Sequence, residues 1–312
     1  MAITLAEGAK LSNDVLLQGI IETILKDSPV LQALPFVDII GNGLTYNREK
    51  TLPTAEWHAV NTDWATSPAP DFDQLTATLA ILGQNADVDN FIKQTRSNIQ
   101  DIEAAIIELT AKACRHEFEK QFIYGSTTNY LGITGDANTF NGLIKLITTG
   151  TASDQVIAMA ATGATLTLAK LDELIDAVRG GKPDLLLMSR RSRRKVTALV
   201  RASGAYMETV KGEFGEFIQL YNGVPIGVND WILDTHTLVG SVETAITGAT
   251  NSTIYALRFG EGSVCGATNG GIQAEPIGAL EGKDGSRTRI KWYVSIVDFC
   301  LQTRAALIGV QD

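Results

Sequence analysis

The sequence contains three histidines, the side chains most often used for proton transfer and metal binding near neutral pH. They are His58, His116 and His236, which lie far apart and do not form the spaced pair of a helical zinc motif. We therefore expect surface or packing roles for these histidines, and no metal site.

The glycine and serine patterns of phosphate-binding and acyl-transfer sites are also missing. There is no Walker-type phosphate loop and no Gly-x-Ser-x-Gly nucleophile turn. Gly260-Glu261-Gly262 follows a predicted strand, but Gly266 comes one position too late for a dinucleotide-binding turn. These absences predict a protein that is not an enzyme and holds no cofactor. An α/β enzyme with an unrecognised site remains an alternative.

The three cysteines, Cys114, Cys265 and Cys300, are distant from one another and lie in apolar stretches. An odd and dispersed set predicts reduced thiols instead of a disulfide framework. Residues 1–10 show no signal-peptide pattern, and no apolar run reaches the ~20 residues that span a membrane. We therefore expect a protein made in the cytoplasm, with no membrane partner.

A basic cluster is the one feature that suggests contact with nucleic acid. It comprises Arg190, Arg191, Arg193, Arg194 and Lys195, at the start of a predicted helix that follows a buried strand. The whole chain carries a net charge of -9, which disfavours binding of a phosphate backbone by the general surface. We expect the cluster to be a solvated helix start or a subunit contact; contact with DNA or a phosphate is the alternative.

Two segments carry apolar side chains that they cannot bury by themselves. Near the N-terminus, a stretch that includes Ile20 and Ile24 has helical spacing but too little apolar surface to stand alone. Further along, two alternating stretches predict strands, and the polar connection between them contains Trp57 and Trp64. Large rings are unfavourable in water, so this connection should lie on a surface. We expect these four side chains to contact neighbouring subunits.

Residues 93–124 predict the longest helix of the chain, a rod of about 48 Å at ~1.5 Å per residue. Gly125 should end it. Charged residues fill the opposite side, with Arg115 and Glu119 spaced to form an ion pair. The predicted apolar stripe consists of Ile99, Ile102, Ile106, Leu109 and Ala113, and it is widened by Ala105 and Phe118.

The remainder of the chain alternates between strand and helix patterns, which is typical of a layered α/β or α+β domain. The last stretch, 286–310, predicts antiparallel strands interrupted near residue 303. The other predicted elements are helices at 166–178 and 192–202 and strands at 183–188, 224–228 and 253–259.

The order of these parts resembles the major capsid proteins of tailed bacteriophages, the Hong Kong 97-like fold family that also includes encapsulin compartments. Phe140-Asn141-Gly142-Leu143 looks like the family's crossing between domains. Residues 183–189 and the helix after them resemble the axial strand–helix unit, and residues 223–230 resemble its Gly-x-Pro strand signature. The resemblance covers nearly the whole chain, and the order of the motifs carries it.

The resemblance implies an α+β Hong Kong 97-like capsid fold. Its parts would be an N-terminal arm at 1–36, an extended β-hairpin loop at 37–92, a peripheral domain with a spine helix at 93–146, an axial α/β domain at 147–268, and return strands of the peripheral domain at 269–312.

The implied function is a structural virion protein that self-assembles as pentamers and hexamers into an icosahedral shell around double-stranded DNA. Its partners would be copies of itself, a separate scaffolding protein because the arm is short, a portal, decoration proteins, and packaged DNA through weak, non-specific proximity. Lys50 has no matching asparagine or catalytic acid, so we expect no lysine–asparagine cross-link. The shell would form in the host cytoplasm. An encapsulin-like cargo compartment is the nearest alternative.

Overall fold

The larger sheet of the fold is organised around Leu185–Met188, four apolar residues that are all buried. A strand covered on both faces needs such a continuous apolar run. This computed structural model describes residues 29–64, 66–67, 69–96, 102–150, 155–204, 208–211 and 217–311. The strands of the larger sheet are β5 (Val156–Ala158), β6 (Ala164–Thr165), β7 (Leu185–Met188), β8 (Glu208–Lys211), β9 (Phe217–Tyr221), β10 (Val224–Val228), β13 (Ser252–Leu257) and β16 (Arg304–Gln311), in the spatial order β5–β16–β13–β7–β10–β9–β8 with β6 beside β16.

Two helices, α5 (Leu168–Ala177) and α6 (Arg190–Ala202), pack on this sheet. Each has a hydroxyl side chain at its N-cap, which accepts a hydrogen bond from a backbone N–H of the first turn. Their buried faces carry Leu171, Leu174, Val196 and Val200, with the helical spacing that the sequence shows. The strand and the helix predicted within residues 183–202 are therefore both present.

The smaller sheet has four strands in the order β1–β14–β15–β4. Helices α2 (Asn90–Arg96) and α3 (Ile102–Tyr124) follow its edge strand, and α4 (Leu143–Gly150) continues from the crossing loop. Phe118 of α3 is fully buried and lies 4.8 Å from Trp292 of β15, measured between ring centroids. The strands are β1 (Phe36–Asp38), β4 (Ala80–Asp89), β14 (Val264–Ala279) and β15 (Gly285–Asp298).

Helix α3 ends at Tyr124, directly before Gly125, as the sequence predicts. The predicted apolar stripe is wrong in part, because Leu109 is 43% exposed and Ala113 is also exposed. Ala105 and Phe118 of the widened stripe are buried, and tertiary packing adds Cys114 and Phe122 to the buried face. Residues 97–101, including Ile99, lie outside the described residues.

A two-stranded hairpin projects from the base of the smaller sheet. It consists of β2 (Gly43–Thr51) and β3 (Asp71–Thr78), paired antiparallel from Gly43 opposite Thr78 outwards. The sequence predicted one hairpin loop over 37–92, and that range is too wide. β4 pairs along its whole length with β15, so it belongs to the smaller sheet.

Two further boundaries need correction. β16 was expected among the return strands of the peripheral domain at 269–312, but it pairs with β13 and β5 inside the larger sheet. Residue 268 was expected to end the axial domain, but it lies within β14 of the smaller sheet. Strand patterns reveal which residues are extended, whereas the choice of partner depends on contacts distant in sequence.

The expected arm also ends earlier than residue 36. Helix α1 (Val30–Ala33) and the residue after it contribute Val30 and Leu34 to the main core, where they pack with Phe118 and Phe122 of α3. Val30 is completely buried. Residues from 29 onwards are thus part of the subunit core, and not of a segment that needs a neighbour.

The crossing from α3 to α4 depends on two glycines. Gly142 donates its N–H to the carbonyl of Gly125 at 2.8 Å, so the two backbones touch. A Cβ added to Gly142 would lie 2.6 Å from the backbone nitrogen of Gly125, closer than any side chain tolerates. The crossing predicted at residues 140–143 therefore requires glycine for close backbone approach.

Candidate assembly surfaces

The tip of the β2–β3 hairpin exposes large apolar side chains. Trp57 is 101% exposed and Trp64 is 79% exposed. Trp64 is stacked on His58, with ring centroids 4.3 Å apart and an angle of 21° between the planes. Leu52, Val60 and Phe72 add further exposed apolar surface. The structure thus places both predicted tryptophans at one tip, and exposed apolar surface of this extent is typical of contact sites.

The same tip is acidic. Between Glu49 and Asp73 the sequence has five carboxylates and a single lysine, Lys50. Asp71 and Asp73 lie 3.2 and 3.5 Å from the amine of that lysine. The hydrogen bond and charge of Asp71 are the main causes that raise the pKa of Lys50. The amine therefore keeps its proton, which makes it a poor nucleophile.

Polar contacts hold the base of the hairpin against the smaller sheet. The hydroxyl of Tyr46 donates to the carbonyl of Asp298 at 2.8 Å, and its ring lies 5.0 Å from that of Phe299. Arg48 donates through Nε to the carbonyl of Phe299 at 3.0 Å and lies 3.2 Å from the Asp298 carboxylate. Burial is the main cause that raises the pKa of Tyr46. The base is therefore fixed while the tip is free of covering side chains.

The predicted basic cluster lies at the start of α6, on the larger sheet and apart from the hairpin contacts described above. Nη2 of Arg190 donates to Asp230 at 2.7 Å, and Nη2 of Arg191 donates to the carbonyl of Thr250 at 2.6 Å. Arg194 is exposed, whereas the remaining two members are half-buried: Arg193 and Lys195. At least two of the five side chains thus serve contacts within the subunit.

Ile20 and Ile24, the other predicted contact residues, lie outside the described residues. In the described ranges no group of three or more histidine, cysteine or acidic side chains is arranged to hold a metal ion. No helix in the described part of the chain is long and apolar enough to cross a membrane.

A buried polar cluster joins α3 to the second small hairpin, β11 (Thr237–Val239) and β12 (Val242–Ala245). The Tyr124 hydroxyl and His236 Nε2 are 2.8 Å apart, while His236 Nδ1 contacts the carboxylate of Glu243. The same hydroxyl accepts a hydrogen bond from the backbone N–H of Leu233 at 2.8 Å.

This cluster is the arrangement in the described structure most similar to a catalytic relay, and sequence reasoning did not find it. Burial raises the pKa of Tyr124, so its phenol keeps the proton. Tyr124 also borders a cavity of about 330 Å³ with Trp231 and Leu233. No sequence signal could have joined Tyr124 to His236, because they are 112 positions apart. The geometry fits the packing role predicted for His236.

Comparison with protein families gives a match to the model of the phage capsid family over residues 8–258. No curated protein matches the chain.

Solved structures with the same fold include shells of several kinds. The SrpI encapsulin of Synechococcus elongatus PCC 7942 superposes with a TM-score of 0.69 at 18% identity, covering 100% of this chain and 97% of that one. The capsid of a native GTA particle superposes with a TM-score of 0.65 at 14% identity, and the match covers 98% of each chain. A structure from Mycobacterium phage Bobi superposes with a TM-score of 0.63 at 16% identity, and the match covers 99% of each chain.

Proposed function

Because the chain belongs to the phage capsid family and is a structural shell protein of the virion capsid, we propose that it self-assembles as pentamers and hexamers. These would form an icosahedral shell around the double-stranded DNA genome of a tailed phage, built in the host cytoplasm. The Hong Kong 97-like α+β fold supplies the subunit for such a shell.

The exposed apolar tip of the hairpin is the observation that carries this proposal. Trp57 and Trp64 are held away from the subunit core on a hairpin whose base is fixed. An indole ring buries about 150–250 Å² when it enters an interface. A contact in which the tip of one subunit enters a different surface of the next is heterologous, and heterologous contacts that close by rotation form rings.

The net charge of -9 disfavours tight binding of packaged DNA by the general surface and is compatible with weak, non-specific proximity to it. Arg194 and Lys195 are the members of the basic cluster for which a DNA-facing role is easiest to test, since Arg190 and Arg191 serve their own subunit. A separate scaffolding protein, a portal and decoration proteins are further proposed partners that follow from the family. We propose no enzymatic activity, since the family to which the chain belongs consists of structural shell proteins.

The size of the purified full-length chain tests the proposal. We expect particles of megadalton mass by light scattering and closed shells in negative-stain micrographs. A species of 33.5 kDa or a small oligomer under all assembly conditions, with saturable binding of a small ligand, would instead favour an α/β enzyme. The Trp57→Ala chain serves as the matched control, because it should fold normally and assemble poorly.

The encapsulin fold match favours a second candidate, a shell that encloses protein cargo. Particles isolated from producing cells separate the two functions. A phage capsid should contain nuclease-protected double-stranded DNA, whereas a cargo compartment should contain a co-purifying protein that mass spectrometry identifies and no protected genome.

A further inference from the structure

A buried ion pair lies at the turn between β15 and β16. Asp298 ends β15 and is 4% exposed, while Arg304 begins β16 and is 1% exposed. The two side chains contact each other across a short 3-10 turn, Leu301–Thr303. Nη2 of Arg304 also donates to the carbonyl of Leu146 at 2.8 Å, which fixes the guanidinium to α4. The pair is therefore a rigid part of the subunit body.

Tyr46 and Arg48 of β2 reach this pair from the hairpin. Besides its contact with the carboxylate, Nη2 of Arg48 donates to the carbonyl of Asp298. Tyr46 donates to the same carbonyl, so the backbone of Asp298 receives two hydrogen bonds from the hairpin. Arg48 is largely covered, with 17% of its side chain exposed. Such partly buried, charge-assisted contacts are stronger than pairs on an open surface.

The charges in this group are unequal, because two guanidinium groups share one carboxylate. Removing Arg48 would leave a neutral Asp298–Arg304 pair inside the body. Removing Asp298 would leave two buried cations facing each other, which is costly for the subunit itself. The hairpin side of the group can thus be changed while the body side stays paired.

We propose that Tyr46, Arg48 and Asp298 form a lock that sets the angle of the hairpin on the subunit body. This inference rests on the proposed function, in which the hairpin tip must meet a neighbouring copy. Trp57 is nine residues beyond Arg48, a span of at most about 30 Å at ~3.3 Å per residue. A rotation of about 10° at the base would therefore move Trp57 by up to about 5 Å, which exceeds the ~4 Å range of a van der Waals contact.

Cys265 provides a direct readout of the lock. It is completely buried in an apolar cluster that the hairpin base covers with Leu44, Tyr46 and Ala77. Burial is the main cause that raises the pKa of its thiol to about 11. Cys114 is also buried, but it lies on α3 and outside this cluster. Of these two thiols, opening of the hairpin base should expose only Cys265, whereas unfolding of the subunit should expose both.

The experiment measures alkylation of both thiols by N-ethylmaleimide in the full-length chain, with peptide mass spectrometry and with particle yield from the same sample. Arg48→Met and Tyr46→Phe are the lock variants. Arg289→Met is the matched control, because Arg289 is an exposed arginine of β15 that donates to Asn85 and lies outside the lock.

We expect Arg48→Met to raise the alkylation rate of Cys265 by about tenfold or more, as loss of a charge-assisted hydrogen bond predicts, with Cys114 unchanged. Tyr46→Phe should have a smaller effect in the same direction, and Arg289→Met should have none. Shell yield should fall in the order of these rates.

An unchanged Cys265 rate in both lock variants would refute the lock, as would an equal response to Arg289→Met. So would a parallel rise at Cys114 in both variants, which would assign these contacts to subunit stability. Normal shells from a variant with fast alkylation of Cys265 would show that the angle of the hairpin does not govern assembly. If the unchanged chain forms no shells while the thiol rates follow the prediction, the proposed function fails and the lock stands.

Discussion

Replacing Trp57 by alanine should separate subunit stability from assembly. The indole is fully exposed in the subunit, so its removal takes no buried apolar area from the core. Surface substitutions of this kind change the free energy of unfolding by less than about 0.5 kcal/mol. We therefore expect the same helix content and the same thermal unfolding midpoint for Trp57→Ala as for the unchanged chain.

The expected loss in assembly follows from the area of the ring. Burying about 150–250 Å² at ~25 cal/mol per Å² corresponds to about 4–6 kcal/mol, which is an upper bound for the contact. Truncating a central aromatic residue of an interface to alanine typically weakens the binding free energy by about 2–4 kcal/mol. Taking about 2 kcal/mol, each contact weakens roughly thirtyfold, and every subunit of the shell would bear this loss.

The assay is the protein concentration at which particles appear, followed by light scattering and checked by negative-stain microscopy. Trp57→Phe keeps a ring at the tip and should recover much of the assembly. Trp292→Ala removes a core ring that is 5% exposed and should instead lower subunit stability. Normal assembly of Trp57→Ala would refute the reasoning, and so would loss of helix content in circular dichroism.

Three other substitutions test the interior of the subunit by urea unfolding. Gly142→Ala should lower the free energy of unfolding by about 1–3 kcal/mol, because the new Cβ would meet the backbone of the crossing. Gly282→Ala should leave the free energy of unfolding unchanged, because Gly282 has open space around it. Glu243→Gln should lower the free energy of unfolding by about 1–3 kcal/mol, because it weakens the buried contact with His236. Asp87→Asn should make the free energy of unfolding less dependent on pH in acid. Arg287 lowers the pKa of Asp87 in the folded subunit. The ion pair therefore stabilises the subunit above the unfolded pKa of about 3.9, and this stabilisation is lost as pH falls through the lower folded pKa.

Each of these predictions has a result that contradicts it. Equal stability of the two glycine variants would mean that the crossing relaxes without cost. An unchanged urea midpoint for Glu243→Gln would show that the polar cluster does not stabilise the subunit. For Asp87→Asn, the difference from the unchanged chain should shrink as pH falls from 6 towards 2, and a constant difference would assign the effect to packing instead of charge.

Local patterns predicted the elements whose burial is decided by their own residues. β7 is a continuous apolar run, and α6 begins at a hydroxyl N-cap with its apolar face at helical spacing. Gly125 ends α3 because the chain must approach Gly142 closely there. The tryptophans at the hairpin tip were also predictable, since a polar connection rich in proline gives indole rings no cover of their own.

Features that depend on distant partners were not predictable in this way. The apolar residue Leu109 of α3 faces outwards, while Glu119 on the predicted polar side is buried and pairs with Arg115 at 3.1 Å. The local pattern did not indicate β14, because its glycines, among them Gly270 and Gly271, dilute the alternation and mark a bulge; only the resemblance implied return strands from residue 269 onwards. The Asp298 lock joins residues about 250 positions apart, and only the folded chain brings them together.

The position of β16 in the larger sheet has a consequence for the order of folding. This strand is synthesised after all its partners, yet it lies between β13 on one side and β5 on the other. A nascent chain that has not reached residue 304 leaves the edges of both partners unpaired, so the larger sheet cannot close before β16 has been made. The subunit would thus acquire its final shape only after residues 304–311 have left the ribosome, which delays association until that point.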